Sequence, residues 1–207
     1  MPANRKIWER PNKSRLSRKT LTRQIKPRIL IVCEGKKTEP NYFKGFKVST
    51  MTLVIEPVGQ VHVSVVERAI KILSEDRDIE EVWCVFDRDK HKANPNDINL
   101  FNSAMSLAKK HKIKVAYSND AFELWYLLHF IYLNAQILRS DYIKKLKDIM
   151  GGYAKNDPDM YMKLEDKMDT AINNAKKLYN LSNKNDPANA DPSTTVFKLV
   201  ERLRQLK

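Results

Sequence analysis

The sequence predicts an α/β fold: a mostly parallel, four-stranded sheet flanked by helices, followed by a helical C-terminal extension. Two observations carry this. Short, continuous apolar runs, the mark of strands buried on both faces, alternate with segments of helical spacing through residue 119. Beyond that point the periodicity is helical only. At 207 residues the chain can bury one sizeable core without requiring a second.

Arg28 to Cys33 is the first apolar run, ended by Glu34-Gly35. Thr38 then suits the N-cap of a short helix through about Phe46, with Pro40 tolerated in its first turn. Thr52 to Pro57 reads as the second strand, and Val61 to Ser74 has helical spacing at Val65, Ala69, Ile72 and Leu73. Glu81 to Phe86 is the third strand and stops abruptly at Asp87. Ile98 to His111 reads as a helix, and Ile113 to Tyr117 as a fourth strand ending at Ser118-Asn119. The extension, residues 121–207, reads as helices over about 122–133, 140–150, 161–181 and 193–206, packed on a core of residues 28–120.

The formal net charge of +13 points to a polyanionic partner. Residues 1–28 hold ten basic side chains against Glu9, a local balance of +9, which leaves only +4 for the rest. Residues 1–27 therefore read as a basic, flexible arm suited to nucleic-acid phosphates, DNA or RNA, without sequence readout. A solvated, solubilising tail is the bland alternative. No apolar segment follows the N-terminal charges as a secretory leader would require. The most apolar stretch, Ala121 to Leu138, carries Glu123, His129 and Asn134 and is too short to span a bilayer. Cys33 and Cys84 lie in strand-like runs without a CxxC partner and suit small core residues in a reducing cytoplasm.

Glu34, Asp87 and Asp89 all fall at or just past the ends of predicted parallel strands, where α/β sheets gather their active groups. Hard divalent cations take oxygen ligands, so carboxylates converging there suit Mg²⁺ or Mn²⁺ and phosphoryl chemistry. Spacing alone is weak, since Asp76-Arg77-Asp78 repeats the tripeptide at the end of a predicted helix, where a solvated connection is expected. No GxxxxGK[ST] or GxGxxG motif is present, which excludes the P-loop and dinucleotide-binding readings. A DxD phosphatase of the haloacid dehalogenase type would carry its motif on the first strand rather than the third.

Val32-Cys33-Glu34-Gly35 with Val85-Phe86-Asp87-Arg88-Asp89 resembles the Toprim domain of primases, topoisomerases and nucleases. Together with Thr38-Glu39-Pro40-Asn41-Tyr42-Phe43, with Ser118 through Trp125 and on to His129-Phe130, and with Pro192-Ser193-Thr194, the chain is similar to the RloB-like family over about residues 28–205. The resemblance implies a Toprim-like fold and a metal-dependent nuclease of prokaryotic restriction and phage-defence loci, often beside a partner protein. It also implies Glu34 as general acid or base or as a ligand, with Asp87 and Asp89 holding Mg²⁺ or Mn²⁺. The rival from another class is a non-catalytic nucleic-acid-binding subunit docked on a partner ATPase. A homo-oligomer stays open. Relatives commonly carry Pro where this chain has Asp120, a departure expected to alter a helix N-cap rather than the site.

Four further residues are candidates for catalysis, each with a plainer alternative. Glu39 is a ligand or a carboxylate favouring a helix dipole. Glu123 joins the rim or completes a capping box with Asp120. His129 is a phosphate contact or proton donor, or a packed core histidine that cannot share a helix face with Glu123. Lys155, in a Gly-rich linker, meets a phosphate or is an ordinary surface lysine. Trp125, Tyr126, Phe130 and Tyr132 read as core packing rather than a base-stacking platform.

Overall fold

The computed structural model describes residues 26–88 and 96–207. The expected basic arm, apart from its last two residues, and Asp89 lie outside the described residues. The elements run β1 (Arg28–Cys33), α1 (Thr38–Lys44), β2 (Thr52–Pro57), α2 (His62–Glu75), β3 (Ile79–Asp87), α3 (Asp97–Lys110) and β4 (Lys114–Asn119). After these come α4 (Glu123–Leu127), α5 (Arg139–Met150), α6 (Met160–Leu164), α7 (Met168–Leu181), β5 (Ser193–Thr194) and α8 (Val196–Gln205).

The sheet has five strands in the order β2-β1-β3-β4-β5, the first four parallel and β5 antiparallel to β4. From β1 the chain moves one way to β2, then returns past β1 to β3 and on to β4. Right-handed crossovers therefore put α1 on one face and α2 and α3 on the other. The two apolar clusters agree, and β1 feeds both by alternation. Ile29, Ile31 and Cys33 pack with Tyr42 and Phe43 of α1 and with the C-terminal helices. Leu30 and Val32 pack with Val65 and Ala69 of α2 and Phe101 of α3. The reversal of strand order opens a crevice between the carboxyl ends of β1 and β3, the position where open α/β sheets bind ligands.

The chain departs from the sequence expectations in identifiable ways. The fifth strand replaces the first turn of the expected last helix, because side-chain hydroxyls there engage β4. The Thr194 hydroxyl donates to Tyr117 O at 3.0 Å, and Thr195 Oγ1 accepts the Tyr117 N–H at 2.9 Å. Thr194 Oγ1 also accepts the Val196 N–H at 3.2 Å, so the helix starts only there. The helix expected over 122–133 shortens to α4, where Asn174 Nδ2 donates to Leu128 O at 2.9 Å and draws that carbonyl out of the ladder. A single helix over 161–181 is likewise divided by a 3₁₀ turn at Glu165–Lys167.

Neither expected N-cap forms. Lys37 precedes α1, and Thr38 is helical, with its hydroxyl on Asn156 Oδ1 at 2.7 Å. Phe122 precedes α4 without a side-chain cap, so Asp120 is not its cap. Asp76 caps the end of α2 and pairs with Arg28 at the opposite edge of the sheet, which fits a structural connection. Cys33 and Cys84 are buried free thiols. No helix of the described residues is long and apolar enough to cross a membrane.

The C-terminal segment is tied to the sheet by buried Asn119, whose Nδ2 lies 2.8 Å from Ala190 O and 3.3 Å from Ala188 O. Asn119→Ala leaves those carbonyls without their donor. It is expected to cost about 2 kcal/mol, read as a lower urea midpoint with an unchanged slope.

Candidate functional site at the carboxyl rim of the sheet

Glu34 extends β1 by one residue: its N–H donates to Val85 O at 2.8 Å and its O accepts the Gly59 N–H at 2.8 Å. Its side chain is fixed across the crevice, where Glu34 Oε2 accepts the Asp87 N–H at 3.0 Å. A bond from the last residue of β3 to the residue after β1 sets the geometry of the switch point. His62, the first residue of α2, adds a second brace, its Nε2 donating to Asp87 O. His62 is 2% exposed and packs edge-on against Phe86 and Phe101, so the brace is rigid.

Glu39 reaches the same rim from α1. Its carboxylate lies over Gly35 so closely that a Cβ there would stand 2.1 Å from Glu39 Oε2. A side chain in place of Gly35 would therefore have to displace the Glu39 carboxylate, and no unusual φ is involved. Glu123 is wholly buried at the start of α4, and Arg139 at the start of α5 closes the group. Arg139 Nη2 is 3.2 Å from Glu123 Oε2 and 3.8 Å from Asp87 Oδ2.

This gathering has an electrostatic consequence. Burial, then the charges of Glu39, Glu123 and Glu34, hold the Asp87 carboxyl well above the usual range, and Arg139 opposes them. Burial and Glu123 also raise Glu39, against its own backbone hydrogen bond, Arg139 and Lys155. The negative groups outnumber the nearby cations. Asp87 Oδ1 and Glu123 Oε1 are buried and accept no hydrogen bond among the described residues. Such atoms call for a proton, a water or a cation.

An all-oxygen donor set of this kind fits a hard divalent cation. Among the described residues, however, no three His, Cys, Asp or Glu side chains stand as a ligand group for one ion, and Asp89 lies outside them. Glu34 and Asp87 are therefore the members of the expected metal set that the structure brings together, with Glu39 and Glu123 beside them. Lys155 lines a cleft with Glu39 and Arg139, so it too reaches this edge.

His129 does not join them. It is 1% exposed, its Nδ1 is 2.9 Å from Trp125 O, and its ring meets Trp125 edge-on. The charges acting on it are Asp166 and Lys167, not the rim carboxylates. Trp125 and Tyr126 are buried, Phe130 is partly buried against the core, and Tyr132 is exposed beneath Lys177. His62 and Arg139 were not singled out by the sequence analysis. Their available signals were position alone: His62 begins the helix after β2, on the carboxyl edge, and Arg139 begins a helix in the extension.

The model of one protein family, described as RloB-like protein, matches residues 29–203, so the chain belongs to that family. No curated protein and no solved structure matches it.

Burial lowers the His129 pKa to about 4. The unfolded chain then binds more protons than the folded one between pH 6.5 and 4, so this contribution is complete above pH 6.5 and is lost as pH falls. It should cost about 2 kcal/mol by pH 5. Urea melts at pH 7 and pH 5 should show a smaller acid-side loss in His129→Phe than in wild type; equal losses would remove His129 as a source.

Proposed function

We propose that this member of the RloB-like family is a metal-dependent phosphodiester-cutting enzyme of Toprim type, with its reaction centre at the rim between β1 and β3. The observation that carries the reading is the pair of buried oxygens, Asp87 Oδ1 and Glu123 Oε1, that lack a donor among the described residues and whose partner oxygens flank the same Arg139 nitrogen. Carboxylates left in this condition at a switch point suit cation binding better than a purely structural role.

Asp87, with Asp89, would hold the ion. A bound Mg²⁺ or Mn²⁺ supplies charge neutralisation at a phosphate and a more acidic water. The remaining work falls to the protein. Glu34, oriented by the Asp87 N–H, accepts or returns the proton of an attacking water. Arg139 fixes Asp87 and Glu123 relative to one another, and Lys155 offsets phosphate charge at the edge. A role in cytoplasmic defence against foreign nucleic acid rests on the family resemblance rather than on geometry.

Calorimetry tests this before any substrate is chosen. Wild type should give Mn²⁺ or Mg²⁺ heat, and Asp87→Ala should lose affinity by at least about tenfold while keeping its circular dichroism spectrum. Equal weak heats in both proteins would discard the metal site and favour a non-catalytic binding subunit.

A further inference from the structure

Beside the carboxylate rim lies a cleft of about 320 Å³ between the loop after β1 and the loop after α5. Its charge is opposite to that of the rim. Lys36, Lys37 and Lys155 line it together with Arg139, and Glu39 is the acid among its lining residues. None of the three lysines forms an ion pair among the described residues. Exposed lysines usually spread apart or find carboxylates. Three lining one cleft, with Glu39 as the single acid among its lining residues, create a local positive field that attracts an anion.

The Lys155 side of the cleft is built rather than loose, whereas the Lys36 stem runs from its margin over Gly59 in the neighbouring groove. Opposite, Asn156 adopts a φ of 70°. Its side-chain carbonyl accepts the Thr38 hydroxyl at 2.7 Å, and its backbone carbonyl accepts the Asn41 amide at 2.9 Å. These two bonds anchor the loop that carries Lys155 to α1. Arg139 joins the two regions, lining the cleft while standing 3.8 Å from Asp87.

We infer that this cleft is a subsite for a backbone phosphate of a nucleic-acid strand, adjacent to the phosphate held at the rim. The inference rests on the rim being the reaction centre and names its substrate class: a strand with at least two linked phosphates, not a mononucleotide. Lysines act as point charges, so the subsite grips the backbone without reading bases. Lys36, Lys37 and Lys155 are positioning residues, and the strand enters the rim past them.

The test uses the full chain in EDTA, with binding of a fluorescent single-stranded 12-mer followed by anisotropy across a salt series. Lys36→Ala/Lys37→Ala/Lys155→Ala should weaken binding by at least about tenfold at low salt and make the slope of log K against log salt shallower by about 2, one release of roughly 0.7 per lost contact. The control is Lys144→Ala/Lys145→Ala/Lys147→Ala on the exposed side of α5, which removes the same charge elsewhere. It should change the slope by less than half as much. A cleft variant that binds with the wild-type slope, or a control that loses as much as the cleft variant, overturns the subsite. Mn²⁺ calorimetry on the cleft variant separates the two readings: wild-type heat with unaltered strand binding sinks the subsite and leaves the rim reading standing. Lost heat in Asp87→Ala combined with a cleft-dependent salt slope supports both.

Discussion

The sinking of Glu39, Asp87 and Glu123 beneath the surface at one edge of the sheet is the constraint on which the rest of the structure depends. A carboxylate taken out of water costs several kcal/mol unless it is paired or bonded, and neighbouring carboxylates raise that cost. The surroundings answer with a limited set of partners. Arg139 spans two of the acids, and the bonds from the Asp87 amide to Glu34 and from His62 to the Asp87 carbonyl fix the backbone at Asp87. Compensation stays incomplete among the described residues, where one oxygen on each of Asp87 and Glu123 has no donor. A fold selected only for stability would favour apolar side chains here, since well-packed replacements of buried charges are commonly neutral or stabilising.

Topology explains why the acids meet. Glu34 and Asp87 are brought together because β1 and β3 are neighbours while their following connections leave in opposite directions. That divergence keeps helices from filling the space above the strand ends. The same reasoning separates the two Asp-Arg-Asp tripeptides. Asp76 lies at the far edge, bound to Arg28 at the start of β1, where the sheet is closed by its own connections. Asp76 and Asp87, the first residues of identical tripeptides, thus stand at opposite edges of one sheet with different partners, and of the two only Asp87 faces the crevice.

The strands and most of the rim were legible in the sequence because both depend on local signals. An apolar run that stops at a carboxylate marks a buried strand and its carboxyl end together, as at Cys33-Glu34 and Phe86-Asp87. Details set by long-range contacts were not legible. The two-residue strand β5 exists because hydroxyls of Thr194 and Thr195 reach β4 across some 77 residues of chain. The shortening of α4 depends on Asn174 from α7. His129 was a candidate within the stretch that resembles the family, yet its ring packs against Trp125, where burial holds it neutral.

Arg139 shows most clearly what the sequence could not reveal, and it changes the status of the C-terminal region. By periodicity, residues 121–207 form an appendage of helices. In the folded chain they supply Glu123, Arg139 and the loop bearing Lys155, so the rim is completed by groups from beyond the parallel sheet. They also supply β5, which pairs with the end of β4 at the same edge. Removing the extension would therefore expose the apolar face that covers β1 and leave Asp87 and Glu39 without their nearest guanidinium. The parallel sheet presents the acids, and the later helices decide how much water and counter-charge those acids meet, so the chemistry of the rim belongs to both parts of the chain.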